Sequence, residues 1–485
     1  MIRPDIASRR FGLIRTIVAP IALLASLLAM SFLSSPAGAV ETGVVVNGPS
    51  GLSPESDGQL AGLGVGWVRG FVPWTVFEPN QGHLNEPQIA ALEAGLNALP
   101  KGTKVILDVV NTPQWESGSA NPVTPPRDPA DFAHFLGAIS KRLAGKVDAW
   151  EIWNEEDDSL WWAGGPDAAA YTALLKAAYP AIKASDPAAK VVLGGLTGND
   201  YEYLSQVYAD GGKGSFDAVA VHTDTICDVA SPYEILRNGR TDQRINRWSF
   251  LGYRTVHETM LANGDDSPIW MTELGWSTDT QTCNSGAWAG QKPAGVTPQE
   301  QATFLRQAYH CLAQDSYVQV GIWYGLQDTE PFGTPRGSYG LLGPNLQAKP
   351  AYGVLAEYDR DGDRLSEQCG AQQGPQITLT SPRTGVRYSN TLPISVTASD
   401  SVGVYQISLY DDHHIIRSFY VHGGLSTLSG HMIWYGARLL KPGKHTLMAE
   451  AFDERNNTST TSITIVRAGK PKKKHKKHKH RHPKH

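Results

Sequence analysis

Cysteine is scarce in this sequence, with four residues in a chain of 485. No two of them have the CxxC spacing typical of zinc and redox sites, so metal ligation is the weaker interpretation for them. An even number of cysteines fits an oxidising compartment, in which four cysteines can pair in three ways. We therefore expect two disulfides and no bound metal.

A glycine-rich turn of the kind that binds a dinucleotide is also absent, which disfavours a doubly wound open sheet. The apolar fraction of 41% over this length is that of a globular protein with two or three domains. Aromatic residues are plentiful, with 13 tryptophans and 18 tyrosines. Their flat rings suit stacking against sugars, but they also serve cores and interfaces, so composition alone does not identify a ligand.

A long apolar run occurs at the N-terminus. Four arginines within the first 15 residues precede an apolar run over residues 16–33, and Ala37-Gly38-Ala39 follows as an A-x-A cleavage pattern. A run of that length could also nearly span a bilayer as an uncleaved anchor, but Pro20 and the small-residue site favour a signal peptide. We expect a signal peptide over residues 1–39 and a secreted, extracellular protein that could associate with the cell envelope.

Between residues 40 and 370, short β-branched runs alternate with longer amphipathic segments, as in βαβ units around a parallel sheet. Eight such units predict a (β/α)₈ TIM barrel with long loops. On this topology we expect the pairings Cys227–Cys283 and Cys311–Cys369. The predicted strands cover residues 43–47, 66–69, 104–108, 147–153, 190–194, 216–221, 268–272 and 318–324. The predicted helices cover residues 87–99, 128–143, 168–184, 247–262 and 297–313, with Asp128 as a cap.

From residue 375 to residue 467 the pattern changes to short alternating segments separated by turn residues, at the spacing of a β-sandwich. The stretch resembles the bacterial Ig-like modules attached to secreted enzymes, mainly in residues 398–404 and 440–453. This resemblance implies a fold and no chemistry. The clearest predicted strands cover residues 376–380, 392–397, 405–409 and 462–466.

The last 18 residues, 468–485, contain eight lysines and one arginine interleaved with histidines. This tail cannot bury enough apolar surface to fold. A solvated tail and a counter-ion role at an anionic cell-envelope polymer are both open interpretations, and metal capture or a purification tag are lesser ones. We expect no nucleic-acid partner and a monomeric protein.

Two segments place a carboxylate where a barrel strand should end. Residues 150–156, Trp-Glu-Ile-Trp-Asn-Glu-Glu, close the fourth predicted strand, and residues 270–276, Trp-Met-Thr-Glu-Leu-Gly-Trp, close the seventh. Barrel enzymes build their sites at the carboxyl ends of the strands. Two carboxyl groups facing each other there can supply the proton donor and the nucleophile that cleavage of a glycosidic bond needs.

With these motifs the chain resembles the clan A glycoside hydrolases through essentially the whole barrel, and residues 340–343 and 349–352 are nearest to family 39 and some cellulase-like family 5 members. The resemblance implies that Glu155, directly after Asn154, is the acid/base and that Glu273 is the nucleophile. Asn154 would then hydrogen-bond the 2-hydroxyl of the sugar. It also implies a retaining mechanism without a cofactor, with carboxyl groups about 5–5.5 Å apart rather than the roughly 6.5–9.5 Å of an inverting site.

Further positions match the same pattern. Arg69, at the end of the second strand, corresponds to the arginine that steadies the nucleophile, and a structural salt bridge is the alternative. His222 corresponds to a site-wall histidine on the sixth strand. Relatives carry a tyrosine two residues later, but this chain has Asp224 there, which leaves Tyr233 as a speculative substitute.

Two tryptophans are candidates for the sugar site. Trp323 resembles the strand 8 tryptophan that forms its floor, and Trp115, after the third strand, is expected to line it. A buried core aromatic is the alternative for each. Among the neighbouring carboxylates, we expect Glu151 to orient its neighbours and Glu156 to add negative charge to the loop after strand 4.

The sequence therefore predicts a secreted retaining β-glycosidase that cuts a polysaccharide internally. A catalytically silent glycan-binding or envelope protein on the same scaffold is the alternative, and it would be expected to lack one of the two carboxylates. Transglycosylation would use the same residues as hydrolysis. The fold does not determine the glycan or its linkage.

Overall fold

The computed structural model describes residues 40–46, 54–223, 227, 229–239, 241–284, 289–331, 334, 336–370 and 374–469. The predicted signal peptide, Asp224 and residues 470–485 of the basic tail lie outside this part of the chain. In the part described, no helix combines the length and the apolar character that crossing a membrane requires.

Eight parallel strands close into a barrel in chain order, with β8 paired to β1. Each strand overlaps one of the eight predicted runs, so the predicted TIM barrel is confirmed. The strands are β1 (Glu41–Val45), β2 (Trp67–Pro73), β3 (Lys104–Val110), β4 (Ala149–Asn154), β5 (Lys190–Thr197), β6 (Ala218–His222), β7 (Ile269–Leu274) and β8 (Val318–Trp323).

One buried apolar cluster draws members from all eight strands. Only the inside of a closed barrel brings such residues together, so this cluster is the barrel interior. Side chains alternate along a strand, and the residues between these members therefore point outward to the helices. The cluster contains Val45, Trp67, Ile106, Ala149, Val192, Ala218, Ala220, Trp270, Val320 and Ile322, with Phe71 and Tyr324 packed against it.

Helices surround the barrel. All five predicted helices are present, and the Asp128 side chain caps α5 by accepting a hydrogen bond from the Ala130 amide at 2.9 Å. The helix predicted over residues 247–262 begins only at Tyr253, because Asn199 Nδ2 donates to the carbonyls of Arg247 and Ser249 and engages them outside the helix. The helices are α1 (Pro54–Leu63), α2 (Trp74–Phe77), α3 (Glu86–Ala98), α4 (Gln114–Ser117), α5 (Pro129–Arg142), α6 (Ala168–Ser185), α7 (Tyr201–Ala209), α8 (Tyr253–Ala262), α9 (Pro298–Gln314) and α10 (Pro350–Asp361).

Both predicted disulfides form. Cys227–Cys283 joins the loop after β6 to the loop after β7, and Cys311–Cys369 joins α9 to the segment after α10. They close loops with sequence separations of 56 and 58 residues. Each restricts the unfolded chain and contributes about 2–4 kcal/mol to stability.

The C-terminal region forms one curled sheet in the order β10-β14-β13-β11-β12, with β9 paired to β11. The segments predicted as separate strands over 392–397 and 405–409 belong to a single strand, β11. The pairing register shifts between Ser399 and Gln406, which marks β-bulges. Because a bulge bends a strand without ending it, the two predicted segments are continuous. The strands are β9 (Gln376–Ser381), β10 (Arg387–Tyr388), β11 (Leu392–Asp411), β12 (His414–Trp434), β13 (Gly443–Asp453) and β14 (Thr458–Arg467).

This sheet region contacts the barrel through the turn between β13 and β14. The Arg237 amide donates to the Arg455 carbonyl at 3.0 Å, and Asn457 Nδ2 donates to the Ile235 carbonyl at 3.2 Å. Arg455 also forms a salt bridge with Glu234. The turn therefore supports the barrel loop that follows β6.

Candidate active site

A polar layer lies directly above the apolar layer of the barrel interior. On five strands, a polar residue lies two positions after an apolar residue of the barrel interior. These residues are Arg69 on β2, Asp108 on β3, Glu151 on β4, His222 on β6 and Thr272 on β7. Side chains two positions apart on a strand share a face, so all five point into the barrel. All five are buried. Such a layer is stable only when its polar groups satisfy one another.

Arg69 occupies the centre of this layer. Its Nε donates to Glu151 at 2.6 Å, its Nη1 to Glu273 at 2.5 Å, and its Nη2 to both Asp108 at 2.9 Å and Asn154 at 3.1 Å. Burial acts to lower the pKa of Arg69, but the surrounding carboxylates outweigh it and raise that pKa above its ordinary value. The guanidinium is therefore a fixed cation that makes three buried salt bridges, one of them with Glu273.

A β-bulge aims Glu273 into the barrel mouth. Met271 and Leu274 pair with positions only two apart on β8, so Thr272 and Glu273 together oppose a single residue of that strand. In a regular strand an inward Thr272 would send Glu273 outward to the helices. The extra residue re-aims the side chain, and both residues reach the interior.

Left-handed backbone has the corresponding effect at the end of β4. Trp153 has φ 72° and Glu155 has φ 48°, conformations that cost a non-glycine residue about 1–3 kcal/mol. Trp153 packs outward against Phe132 and Trp162. Asn154 and Glu155 consequently both turn to the mouth. This strained backbone lies in the segment that presents the predicted acid/base.

Glu155 and Glu273 meet above the polar layer. A carboxylate oxygen of each and a ring nitrogen of His222 all lie within 4.8 Å of one another. The Glu155 side chain is 19% exposed and the Glu273 side chain 6%. Both are therefore accessible from the mouth while being largely shielded from water. One nitrogen and two oxygens at this spacing could also hold a divalent cation, which makes the predicted absence of a metal a matter for experiment.

The hydrogen-bond network assigns a proton to Glu155. Thr272 has a single hydroxyl hydrogen, which it donates to the Glu151 carboxylate at 2.8 Å, so its oxygen accepts from Nε2 of His222 at 3.1 Å. Burial lowers the pKa of His222, and the imidazole is neutral with its hydrogen on Nε2. Its Nδ1 is then an acceptor, 3.0 Å from Oε1 of Glu155. Only a protonated Glu155 can donate there.

The electrostatics of Glu155 agree with this assignment. Burial, followed by the negative charge of Asp158, raises the pKa of Glu155 to about 7. Arg69 and Arg336 act in the opposite direction without cancelling these effects. Glu155 thus keeps its proton up to about neutral pH, whereas Glu273 accepts a charge-assisted hydrogen bond from Arg69 that favours its ionised form. The two carboxyl groups have the different environments that an acid and a nucleophile require.

Glu156 does not add charge to the surface. It is completely buried, and neither of its carboxyl oxygens has a hydrogen-bond partner. Burial, and then the charge of Asp157, raises its pKa well above the ordinary value. The room for this side chain comes from Gly194, where a Cβ would lie 2.2 Å from Oε2 of Glu156.

The two tryptophans predicted for the sugar site differ in their burial. Trp323 is fully buried, donates its indole N–H to the Tyr339 carbonyl at 3.0 Å and packs against Trp276. It offers no exposed face to a sugar, so the alternative of a core aromatic describes it. The next residue, Tyr324, packs against the interior cluster. Trp115 is half-buried, packs edge-on against Trp74, and its lining role stays a prediction.

Tyr233 does not take the place of the missing strand 6 tyrosine. Its hydroxyl donates to Glu367 at 2.9 Å, away from the mouth. Asp108, Thr272 and Gly195 also belong to the site, although the motifs did not indicate them as candidates. A Cβ at Gly195 would lie 1.9 Å from Nε2 of His222, so only glycine leaves room for the imidazole. An aspartate within the β-branched run of β3 was the available signal for Asp108.

The C-terminal region matches a family model described as a bacterial Ig domain over residues 375–449. The predicted Ig-like module is therefore confirmed. No curated protein matches the chain significantly.

Solved structures similar to this chain include three described as family 39 glycoside hydrolases. One from Bacteroides cellulosilyticus has 17% identity and a TM-score of 0.50, covering 81% of this chain and 80% of that one. A β-xylosidase from Caulobacter crescentus has 18% identity and a TM-score of 0.50, with coverages of 77% and 82%. An enzyme from Xanthomonas axonopodis pv. citri has 16% identity and a TM-score of 0.51, with coverages of 82% and 92%. The chain thus shares the fold of these family 39 glycoside hydrolases.

Proposed function

We propose that this protein is a secreted, retaining β-glycosidase that hydrolyses O-glycosidic bonds within a polysaccharide. The observation that carries the proposal is the pairing of Glu155, which contacts His222, with an Arg69-bound Glu273, with carboxylate oxygens within 4.8 Å of each other. An inverting site needs room for a water between sugar and base, with carboxyl groups roughly 6.5–9.5 Å apart. Oxygens of the two carboxyl groups that approach within 4.8 Å fit the roughly 5–5.5 Å group separation of a retaining site, which supports double displacement.

In the first step, Glu273 attacks the anomeric carbon while Glu155 transfers its proton to the leaving oxygen. This transfer leaves Glu155 as a carboxylate, and the glycosyl group is esterified to Glu273. In the second step Glu155 takes a proton from water, whose oxygen attacks the anomeric carbon and releases Glu273. Asn154 is held by Arg69 beside the nucleophile, where its amide can bond the 2-hydroxyl as the transition state forms.

A polysaccharide substrate is supported by the comparisons and by the organisation of the chain. The similar structures named as family 39 hydrolases include a β-xylosidase, which favours a β-linked glycan. The N-terminal signal pattern and the Ig-like region fit an extracellular polymer better than a disaccharide. The basic tail could hold the protein at an anionic cell-envelope polymer.

The test uses residues 40–485 and measures reducing ends released from β-linked xylans, mannans and glucans, with and without EDTA. Glu155→Gln and Glu273→Gln should each lose at least about 1,000-fold of the activity. The matched control is Glu156→Gln, which removes the adjacent carboxyl outside the mouth and should retain activity. EDTA should have no effect.

Chemical rescue separates the roles of the two carboxylates. On an aryl glycoside with a good leaving group, Glu155→Gln should form a glycosyl-enzyme that azide converts to the β-glycosyl azide. Rescue of Glu273→Gly should instead give the α-anomer, because azide then attacks from the space that the nucleophile has left. A wild type that is inactive on every glycan would contradict the proposal and favour a silent binding protein.

A further inference from the structure

An exposed tryptophan lies on the catalytic face of the barrel. Trp248 is 49% exposed, and no other tryptophan in the described part of the chain is exposed to a comparable extent. It shares a shallow surface recess with Gly198, which follows β5, and Thr223, which follows β6. These are carboxyl ends of barrel strands, on the same face as Glu155 and Glu273.

The indole is fixed on two sides although it is half exposed. The Arg247 guanidinium stacks 4.7 Å from the ring centroid. The edge of the ring rests on Gly198, where a Cβ would lie 2.3 Å from the indole. A side chain held in this way loses little freedom when a ligand binds, so its exposed surface is preorganised for contact.

Arg247 is itself fixed by groups that belong to the site. It forms salt bridges with Asp157 and Asp200, and it donates to the Thr197 carbonyl. Asp157 also accepts a hydrogen bond from the Thr197 amide at 3.0 Å. Because Asp157 is two residues after Glu155, the acid/base segment, the end of β5 and Trp248 form one connected unit.

The distance from the reacting groups suits a polymer. Gly195 contacts His222, which in turn contacts Glu155. Gly198, which supports the indole, is three residues further along the chain and so at most about 10 Å away. Trp248 therefore lies within the reach of a chain of a few sugar units that extends from the site.

We propose that Trp248 is a stacking platform for a sugar unit of the polysaccharide beyond the two units that flank the cleaved bond. This inference rests on the proposed function and specifies how the same site would select a polymer. A flat indole with an exposed apolar surface matches the C–H face of a pyranose ring. Its ligand is then a neutral or weakly charged β-linked glycan chain, and the site would favour internal cleavage over the removal of terminal sugars.

The experiment compares Trp248→Ala and Trp248→Phe with wild type on an aryl β-glycoside and on the hexasaccharide of the glycan that the wild type cleaves fastest. In Trp248→Ala, kcat/KM for the hexasaccharide should fall at least 10-fold more than kcat/KM for the aryl glycoside, mainly through KM. Trp248→Phe should recover most of the loss, because it restores a flat ring. The control is Leu261→Ala, an exposed apolar residue at the end of α8 that precedes β7, on the opposite face of the barrel.

The outcomes distinguish this inference from the proposed function. If the wild type cleaves both substrates and Trp248→Ala reduces both rates by the same factor, Trp248 is not a stacking platform, whereas the proposed glycosidase activity is retained. If the wild type cleaves neither the aryl glycosides nor any glycan in the panel, the proposed function fails and the platform fails with it. A loss restricted to the hexasaccharide and recovered by phenylalanine supports both.

Discussion

Nδ1 of His222 lies 3.0 Å from Oε1 of Glu155, and the hydrogens of the surrounding network make that nitrogen an acceptor. The contact stabilises the protonated form of Glu155 in the geometry from which it donates. It joins Glu155 through His222 and Thr272 to the Glu151 carboxylate, and from there to Arg69. Glu155 and Glu273 thus belong to one buried network, which favours the protonated form of Glu155 and the ionised form of Glu273.

The role of His222 can be measured by varying the leaving group. His222→Phe removes the acceptor for the Glu155 proton, so we expect a larger loss where the leaving oxygen needs protonation. With an alkyl glycoside kcat should fall at least about 100-fold, and with a dinitrophenyl glycoside it should fall less than about 10-fold. His134→Gln, an exposed histidine on α5, is the control. Equal losses on both substrates would mean that His222 has only a packing role.

The pH profile should report the proton on Glu155. Its pKa is raised to about 7 by burial first and by Asp158 second, so the acid form is lost as pH rises through that value. We expect the alkaline limb of kcat/KM to have an apparent pKa near 7. Asp158→Asn removes the second cause and should move that limb to lower pH, costing several-fold in activity at pH 8 while the acid limb stays in place. If the alkaline limb does not move in Asp158→Asn, it does not report the ionisation of Glu155.

Arg69 should not tolerate lysine. A guanidinium presents its donors in a fixed fork that contacts Glu151, Glu273 and Asp108 together, whereas an ammonium is a point charge that cannot span them. We expect Arg69→Lys to lower kcat/KM by about 100-fold and to lower the melting temperature. Arg142→Lys, which changes an exposed salt bridge with Glu93, is the matched control. Wild-type activity in Arg69→Lys would contradict the orienting role.

The barrel could be predicted because each strand is a compact β-branched run between helical segments. The direction in which the side chains at the strand ends point could not be predicted. The bulge at Thr272 and the left-handed turns at Trp153 and Glu155 depend on tertiary packing, and a shift of one position moves a side chain to the other face. Trp323 is an example of a side chain whose direction was not predicted, since the alternation along β8 places Tyr324, and not the tryptophan, toward the interior.

The carboxylates and Arg69 were found because charged residues at strand ends are rare in a sequence and few positions can hold them. The residues that support them leave weaker signals. Gly195 matters because it has no side chain that would occupy the place of the His222 imidazole. Trp248 belongs to a segment that the helical pattern assigned to α8. Asn199 binds the carbonyls of that segment and keeps it outside the helix, a contact between distant residues that periodicity does not register.

Glu156 should make the protein less stable as pH rises. Its pKa is raised by burial first and by the charge of Asp157 second, and its carboxyl oxygens have no hydrogen-bond partner in the described part of the chain. Below the ordinary pKa of 4.5 both the folded and the unfolded chains hold the proton, and the stability is fully present. At higher pH the unfolded chain releases this proton while the folded chain keeps it, so the free energy of unfolding falls by up to about 1.4 kcal/mol per pH unit from this group alone.

Glu156→Gln should remove that contribution, because glutamine cannot ionise in either state. We expect the variant to gain stability relative to wild type between pH 5 and pH 8, with a difference that grows with pH, measured by urea unfolding at each pH. Glu202→Gln, at a solvent-exposed position on α7, should show no such trend. A constant difference between Glu156→Gln and wild type at every pH would mean that Glu156 ionises in the folded protein, and its buried carboxyl would then need a cation or a water that compensates its charge.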